Sequence, residues 1–258
     1  MRRLFLFVVA ALLMAVSPVA GKQRDGVVMK VDAFSAINVV GKIHVVYEQG
    51  SGYEVRIAGD AADCIDAKME NSSLNLCPKT NVNKVGGVYY ESVDWTVGAT
   101  VYVKAPSVGS FSLAGSGSIK VDRMSGKRAA FNVAGSGTAS VNHLSVDEAS
   151  FNVAGSGQMK VADVKAGKAV LSVAGSGSVS ANLAQASELS CSVAGSGNIT
   201  VSGKTVKYSK SIYGGGTITD SSLKYESVSN SSVGYGGDDR IYYNVDSQRN
   251  DNGILANP

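Results

Sequence analysis

The chain has 258 residues, of which 44% are hydrophobic, with 24 lysines and arginines against 21 aspartates and glutamates and a formal net charge of +3. Residues 1–21 hold two of the basic residues and no acidic one, so the chain from Lys22 onward is almost neutral, which argues against a generic binder of nucleic acid or of an anionic membrane. Three cysteines, an odd count, leave at most one bridge and a free thiol in an exported protein.

Met1, Arg2 and Arg3 lead into an apolar run from Leu4 to Val16, and then Ser17-Pro18-Val19-Ala20-Gly21. A basic start, a short apolar core and small residues before Lys22 make a secretory signal over 1–21. The run is too short to span a bilayer comfortably. No cysteine sits at the cleavage region, so a lipoprotein anchor is not indicated.

Residues 22–106 read as a β module packed on the repeats that begin at 107. Ile43-x-Val45-x-Tyr47, a Glu-Gln-Gly-Ser-Gly turn over 48–52 and Tyr53-x-Val55-x-Ile57 predict a hairpin. Ala61, Ala62, Ile65 and Met69, behind Asp60, are spaced for one face of a short helix over 60–70. Leu74-x-Leu76 resumes the strand pattern, 79–92 is polar and glycine-containing, and Trp95, Val97, Ala99, Val101 and Val103 alternate up to Pro106. Cys64 and Cys77 could pair across a short loop, although the Leu74-x-Leu76 alternation puts Cys77 on the opposite face.

From 107 to 225 the chain repeats. The phrase apolar-x-apolar-Ala-Gly-Ser-Gly opens at Phe111, Phe131, Phe151, Leu171 and Cys191, twenty residues apart each time. Such a fixed period marks an array whose units bury their apolar faces only by stacking. Leu113, Val133, Val153, Val173 and Val193 form the next apolar column, and the spacing of two is strand periodicity. A second strand comes after the glycines, where Ile119, Ala139, Met159, Val179 and Ile199 precede Val121, Val141, Val161, Ala181 and Val201. Glycines around a serine permit positive φ and hence a tight corner at one height in every coil. The expected fold is all-β, a right-handed parallel β-helix-like solenoid of about twenty-residue coils behind the smaller N-terminal module. Arg128, Glu148, Lys168 and Glu188 alternate in sign at the eighteenth position, a charge ladder that penalises misregistered stacking.

Beyond the fifth coil the repeat decays through Tyr213-Gly214-Gly215-Gly216 and Tyr235-Gly236-Gly237, as capping repeats do. Residues 226–258 read as this degenerate cap and a polar tail.

Phe34-Ser-Ala-Ile37, Gly41-Lys-Ile43-His-Val45, the Gln49-Gly turn, Gly59-Asp60 and the Ala-Gly-Ser-Gly coils together resemble the head GIN domain family, auto-transporter adhesins among exported proteins of Bacteroidetes. The likeness covers roughly 28–225. It implies a β-helix-like solenoid behind a smaller β region and an adhesive role. Where many members carry Asp or Asn after each corner, this chain has Ser118, Thr138, Gln158, Ser178 and Asn198.

The motifs that could carry chemistry have simpler readings. Gly197 to Gly203-Lys204-Thr205 has one residue too many between its glycines for a phosphate loop, and no apolar helix comes after it. The serine row Ser116, Ser136, Ser156, Ser176 and Ser196 fits bonding along the stack better than a glycan-facing row. Glu148 and Glu188 would stand about two coils apart, but Lys168 lies between them. His44 and His143 have no catalytic neighbours in sequence. No catalytic residue, cofactor or metal ligand is assigned. The expected function is an exported, non-catalytic binding or surface-associated protein, adhesin-like, whose partner is an extracellular glycan or protein. A carbohydrate-active enzyme on a β-helix and a structural envelope protein are the alternatives. Exposed aromatics give contact area at low entropic cost, which makes Tyr89, Tyr90, Tyr213 and Tyr235 the candidate binding surface.

Overall fold

The computed structural model describes residues 27–58, 62–85, 88–235 and 241–249. The signal segment 1–21 and the end of the polar tail lie outside the described residues.

The N-terminal region comprises β1 (Val27–Lys30), β2 (Ala36–Gln49), β3 (Glu54–Ala58), β4 (Ile65–Glu70), β5 (Ser73–Pro78), β6 (Thr80–Val85), β7 (Val88–Val93) and β8 (Gly98–Ala105). β9 (Ser110–Gly115) opens the solenoid, and β10 (Ser118–Gly135), β11 (Thr138–Gly155), β12 (Gln158–Gly175) and β13 (Ser178–Gly195) are its long coils. β14 (Asn198–Tyr213), β15 (Thr217–Lys224), β16 (Ser227–Tyr235) and β17 (Ile241–Arg249) end it.

Successive coils pair in parallel with the twenty-residue offset intact: Phe131 faces Phe151, Val133 faces Val153 and Gly135 faces Gly155. Every inward column is buried. The Phe111 and Phe131 rings stack with centroids 4.8 Å apart and planes 5° from parallel. That separation matches the spacing of hydrogen-bonded strands, so the period itself brings identical rings into contact. At the corner, Gly155 has φ +104°, and a Cβ there would lie 2.8 Å from the Gly135 carbonyl oxygen. The backbone amide of Ser156 donates to that same oxygen at 2.9 Å. Backbone amides thus carry the corner contact along the stack, and the serine side chains stay exposed.

The repeat begins earlier than its sequence phrase. β2 stacks on β9 and β10 at a constant offset of 74 residues, with Gly41 facing Gly115 and Val45 facing Ile119. It is therefore a coil of the same stack, and β3 to β8 are an excursion inserted between it and β9. The Gln49 side chain closes that insertion: its amide nitrogen donates to the carbonyls of Pro106 (2.8 Å) and Ser125 (2.9 Å), and its oxygen accepts from the Ser125 amide (2.8 Å). One primary amide here does the work of a peptide unit in the ladder.

Three local expectations change. The strands either side of the 48–52 turn do not pair with one another. β8 lies between them, parallel to β2 (Val45 facing Val101) and antiparallel to β3 (Val55 facing Val103). Val101 and Val103 are buried, so β8 continues the apolar face of β2 and occupies the lane a hairpin would have closed. The helix expected over 60–70 is a short 3-10 turn, Ala62–Cys64, and then β4. β4 pairs antiparallel with β5 through a two-residue turn in which Asn71 and Ser72 have φ of 49° and 59°. Positive φ at both positions is the twist-matched hairpin turn, and it competes successfully with a weak helical pattern. The polar stretch 79–92 contains the hairpin β6–β7, a separate two-stranded sheet.

At the far end the offset drops to nineteen between β13 and β14. The apolar interior closes with Tyr208, Leu223 and Val228, all buried. Cys191, also buried, is the small hydrophobe of its column.

Candidate binding surfaces

The stack presents two kinds of surface residue: aromatics at its ends and a charge ladder along its length. Tyr89 is 67% exposed, on β7, facing Lys84 of β6. The Lys84 ammonium lies 5.0 Å from the ring centroid, within cation–π range. Val82, on the same face of the hairpin, is also exposed. Trp95, 56% exposed, comes just after the hairpin, and a Cβ on Gly41 would meet its ring at 3.6 Å. Just before it, Asp94 accepts hydrogen bonds from the Thr96 hydroxyl and amide, which hold its carboxyl below the usual carboxylate range.

Tyr90 lies opposite Asn83 in the same hairpin. Tyr213 is half exposed and stands in register with Ala194 and Val233 in the last coils, while Tyr235 pairs with Ile241 between β16 and β17. The four tyrosines therefore form two separate groups, one on the N-terminal hairpin and one in the terminal coils.

Cys64 and Cys77 are free. The β4–β5 register sets Asp66 opposite Cys77, while the Lys79 amide donates to the Cys64 carbonyl at 2.8 Å. The two cysteines are thus offset diagonally instead of facing one another, a poor arrangement for the short Cβ separation a bridge needs. Burial is the main cause of the raised pKa of the Cys77 thiol.

The charge ladder forms in register. Arg128 faces Glu148, Glu148 faces Lys168, Lys168 faces Glu188, and Glu188 faces Lys207 in the shortened coil. Arg128 Nε lies 2.7 Å from Glu148 Oε2, and Lys207 Nζ lies 3.1 Å from Glu188 Oε1. Among the described residues Lys168 makes no ion pair, although it stands between the two glutamates. Beside the ladder the surface is grooved. One cavity of about 210 Å³ runs from Arg128 to Lys168, and another of about 380 Å³ runs from Lys168 to Lys207 and Val228.

Both histidines find partners in a neighbouring coil. His143 Nδ1 lies 3.2 Å from Asp163 Oδ2, twenty residues on, and His44 Nδ1 lies 2.8 Å from Ser118 Oγ across the 74-residue offset. Asn142 likewise donates to Asp122 at 2.8 Å. An offset of twenty was the signal for the first and third of these contacts. These two are ladder contacts on exposed positions, His44–Ser118 is part-buried, and each carboxylate of the Glu148–Glu188 pair is already held by a cation. Among the described residues no group of three or more His, Cys, Asp or Glu side chains could hold a metal ion. Gly203, in the stretch resembling a phosphate loop, has φ +104° and abuts the Leu183 carbonyl, where the coil loses one residue.

Fold and surface together define a parallel β-solenoid without an assembled catalytic set among the described residues. The chain belongs to the family described as "Putative auto-transporter adhesin, head GIN domain", whose model matches residues 33–220 and, in an overlapping placement, 160–245. A strict twenty-residue period permits such a shifted second match. Three solved structures share the fold. A "putative adhesin" from Bacteroides fragilis is 19% identical with TM-score 0.62, covering 83% of this chain and 96% of its own. A "putative adhesin" from Parabacteroides merdae is 19% identical with TM-score 0.61, covering 83% and 94%. A "Putative lipid binding protein" from Parabacteroides distasonis is 22% identical with TM-score 0.55, covering 77% and 96%. Among curated proteins no relative of the chain is found.

Proposed function

We propose that this protein is an exported, non-catalytic, adhesin-like binding protein that meets an extracellular glycan or protein through the aromatic hairpin of its N-terminal module. The observation that carries this reading is the exposure of Tyr89, Val82 and Trp95 on and beside a two-stranded hairpin. Contiguous exposed apolar and aromatic side chains mark interaction sites more often than chance surface, and rigid tyrosines supply contact area at small entropic cost. Tyr90 belongs to the same hairpin, and Tyr213 and Tyr235 make a second group in the terminal coils. Family membership and the adhesin descriptions of the solved relatives support the same role.

In this reading residues 1–21 direct export, 22–106 supply the contact module, 107–225 form a rigid spacer, and 226–258 cap and trail it. β2 lies within the module by sequence and within the spacer by stacking, so the two parts behave as one body.

The mature protein, beginning at Lys22, is tested on glycan and matrix-protein arrays beside a polysaccharide-degradation assay. Saturable binding without turnover, reduced in Tyr89→Ala and Trp95→Ala, is the expected result. Release of oligosaccharides would replace this reading with an enzyme, and silence in both assays would leave a structural envelope role.

A further inference from the structure

We infer that the groove beside the charge ladder is a second binding site, specific for a carboxylate-bearing oligosaccharide, with Lys168 as the residue that reads the carboxylate. The inference rests on the reading of the chain as a binding protein, but its site is distinct from the hairpin.

The charges decide which ligand is attracted. Five charged side chains stand in one column, and two ion pairs consume four of them: Arg128 with Glu148, and Lys207 with Glu188. Both glutamates are therefore turned away from Lys168 towards the ends of the ladder. The remaining cation, Lys168, is the residue that lines both cavities. An incoming anion meets one uncommitted cation flanked by neutralised carboxylates, so its approach is not opposed by like charge. A lysine ammonium is a compact point charge, suited to a single carboxylate.

The shape and the lining decide between ligand classes. From Arg128 to Lys207 the ladder crosses four coil intervals, roughly 19 Å at the strand spacing, the reach of an oligomer and not of one small acid. The cavity linings include the buried Ala149 and Leu189 together with Ser150, Ser190, Ser209 and Ser227. The coil backbone on this face is paired with the coils above and below, so an extended peptide finds no row of main-chain donors and acceptors to join. Sugar hydroxyls need none. They pair with serine hydroxyls, and their apolar ring faces cover the apolar part of the lining.

The test uses the full mature protein and three probes: tetragalacturonate, the neutral galactotetraose, and pentaglutamate, each titrated by calorimetry at low and at physiological salt. Tetragalacturonate is expected to bind, more weakly at the higher salt. Lys168→Gln should weaken that binding about tenfold, the loss of one charge-assisted contact. Lys165→Gln removes the same charge from an exposed position outside both cavities and should change it less than about twofold. Tyr89→Ala should leave it unaltered. Binding kept in Lys168→Gln but lost in Tyr89→Ala would place the oligosaccharide on the hairpin and overturn the assignment. Circular dichroism confirms that each variant is folded. Failure of tetragalacturonate to bind, equal binding by galactotetraose, or an unchanged affinity in Lys168→Gln would each overturn the assignment. Tighter binding of pentaglutamate, lost in Lys168→Gln, would overturn it in favour of an acidic peptide.

Discussion

Lys210 Nζ lies 2.9 Å from Asp220 Oδ2, and Lys210 occupies the inward position that Phe131, Phe151, Leu171 and Cys191 hold in the preceding coils. The apolar column thus ends in an ion pair whose side chains are only 29% and 21% exposed. β16 still stacks on this coil, with Asn230 facing Lys210, so the pair marks where the apolar column turns polar one coil before the end of the stack. Asp220→Ala should destabilise the protein by about 1–3 kcal/mol by leaving a half-buried ammonium unpaired. The double change Lys210→Leu with Asp220→Val should restore stability, because well-packed apolar residues replace a half-buried ion pair. Denaturant titration showing the double variant no more stable than Asp220→Ala would count against this reading of the pair.

The corner glycines differ sharply from Gly126 of the same stack. Gly155→Ala places a Cβ at positive φ and against a backbone oxygen, so a loss of at least about 1–3 kcal/mol is expected. Gly126 has open space where a Cβ would go and no positive φ, and Gly126→Ala should be neutral or stabilising by up to about 1 kcal/mol. Denaturant titration of the two variants distinguishes them, and equal effects would refute the corner argument.

Phe131 lies between two phenyl rings and is fully buried. Phe131→Ala should cost about 3–5 kcal/mol, because neighbouring coils are tied by ladders and cannot collapse into the gap. A loss below about 1 kcal/mol would mean that the coils adjust.

In the charge ladder, Lys168→Glu would set three glutamates in adjacent coils. Each like-charge contact costs roughly 0.2–1 kcal/mol, and the penalty should shrink in high salt. Thermal melts at two ionic strengths measure it. A variant as stable as the parent at low salt would show that charges in neighbouring coils do not couple across the ladder.

Alkali should unfold the protein through its buried neutral acids. Burial pushes the Cys191 thiol up from 9.0 to about 12 and the Tyr47 hydroxyl up from 10.0 to about 12, and it raises Tyr208 further. A folded pKa above the unfolded one means that the native state holds its proton longer. The associated stability is intact below the unfolded pKa values and is lost as pH rises from about 9 towards 12. The melting temperature should therefore fall above about pH 9, less steeply in Cys191→Val. At pH 8 a thiol reagent should modify exposed Cys64 readily and Cys191 only after unfolding. Rapid labelling of Cys191 in the native protein would contradict its burial.

Much of this molecule is legible in the sequence because its period is strict. From Ser118 to Gly195 a twenty-residue offset names the facing partners, apart from a bulge where Val164 faces Leu183, and so yields the phenyl stack, the corner glycines, the charge ladder and the His143–Asp163 contact. Where the period is absent, pairing depends on segments far apart in the chain. Nothing near Tyr47 or Tyr53 announces that β8, some fifty residues later, takes the lane between them, and β2 is recognisable as a coil only once its 74-residue offset is seen in space. The helical spacing over 60–70 was a local signal overruled by the pairing of β4 with β5. The sequence alone determined the solenoid, its register and the family, because stacking identical coils repeats each local choice until it dominates the fold. Only the tertiary structure decided which charges are spent on each other and which is left over, because alternating signs in a column are compatible with several pairings, and the rotamers of Glu148 and Glu188 select the one that leaves Lys168 free.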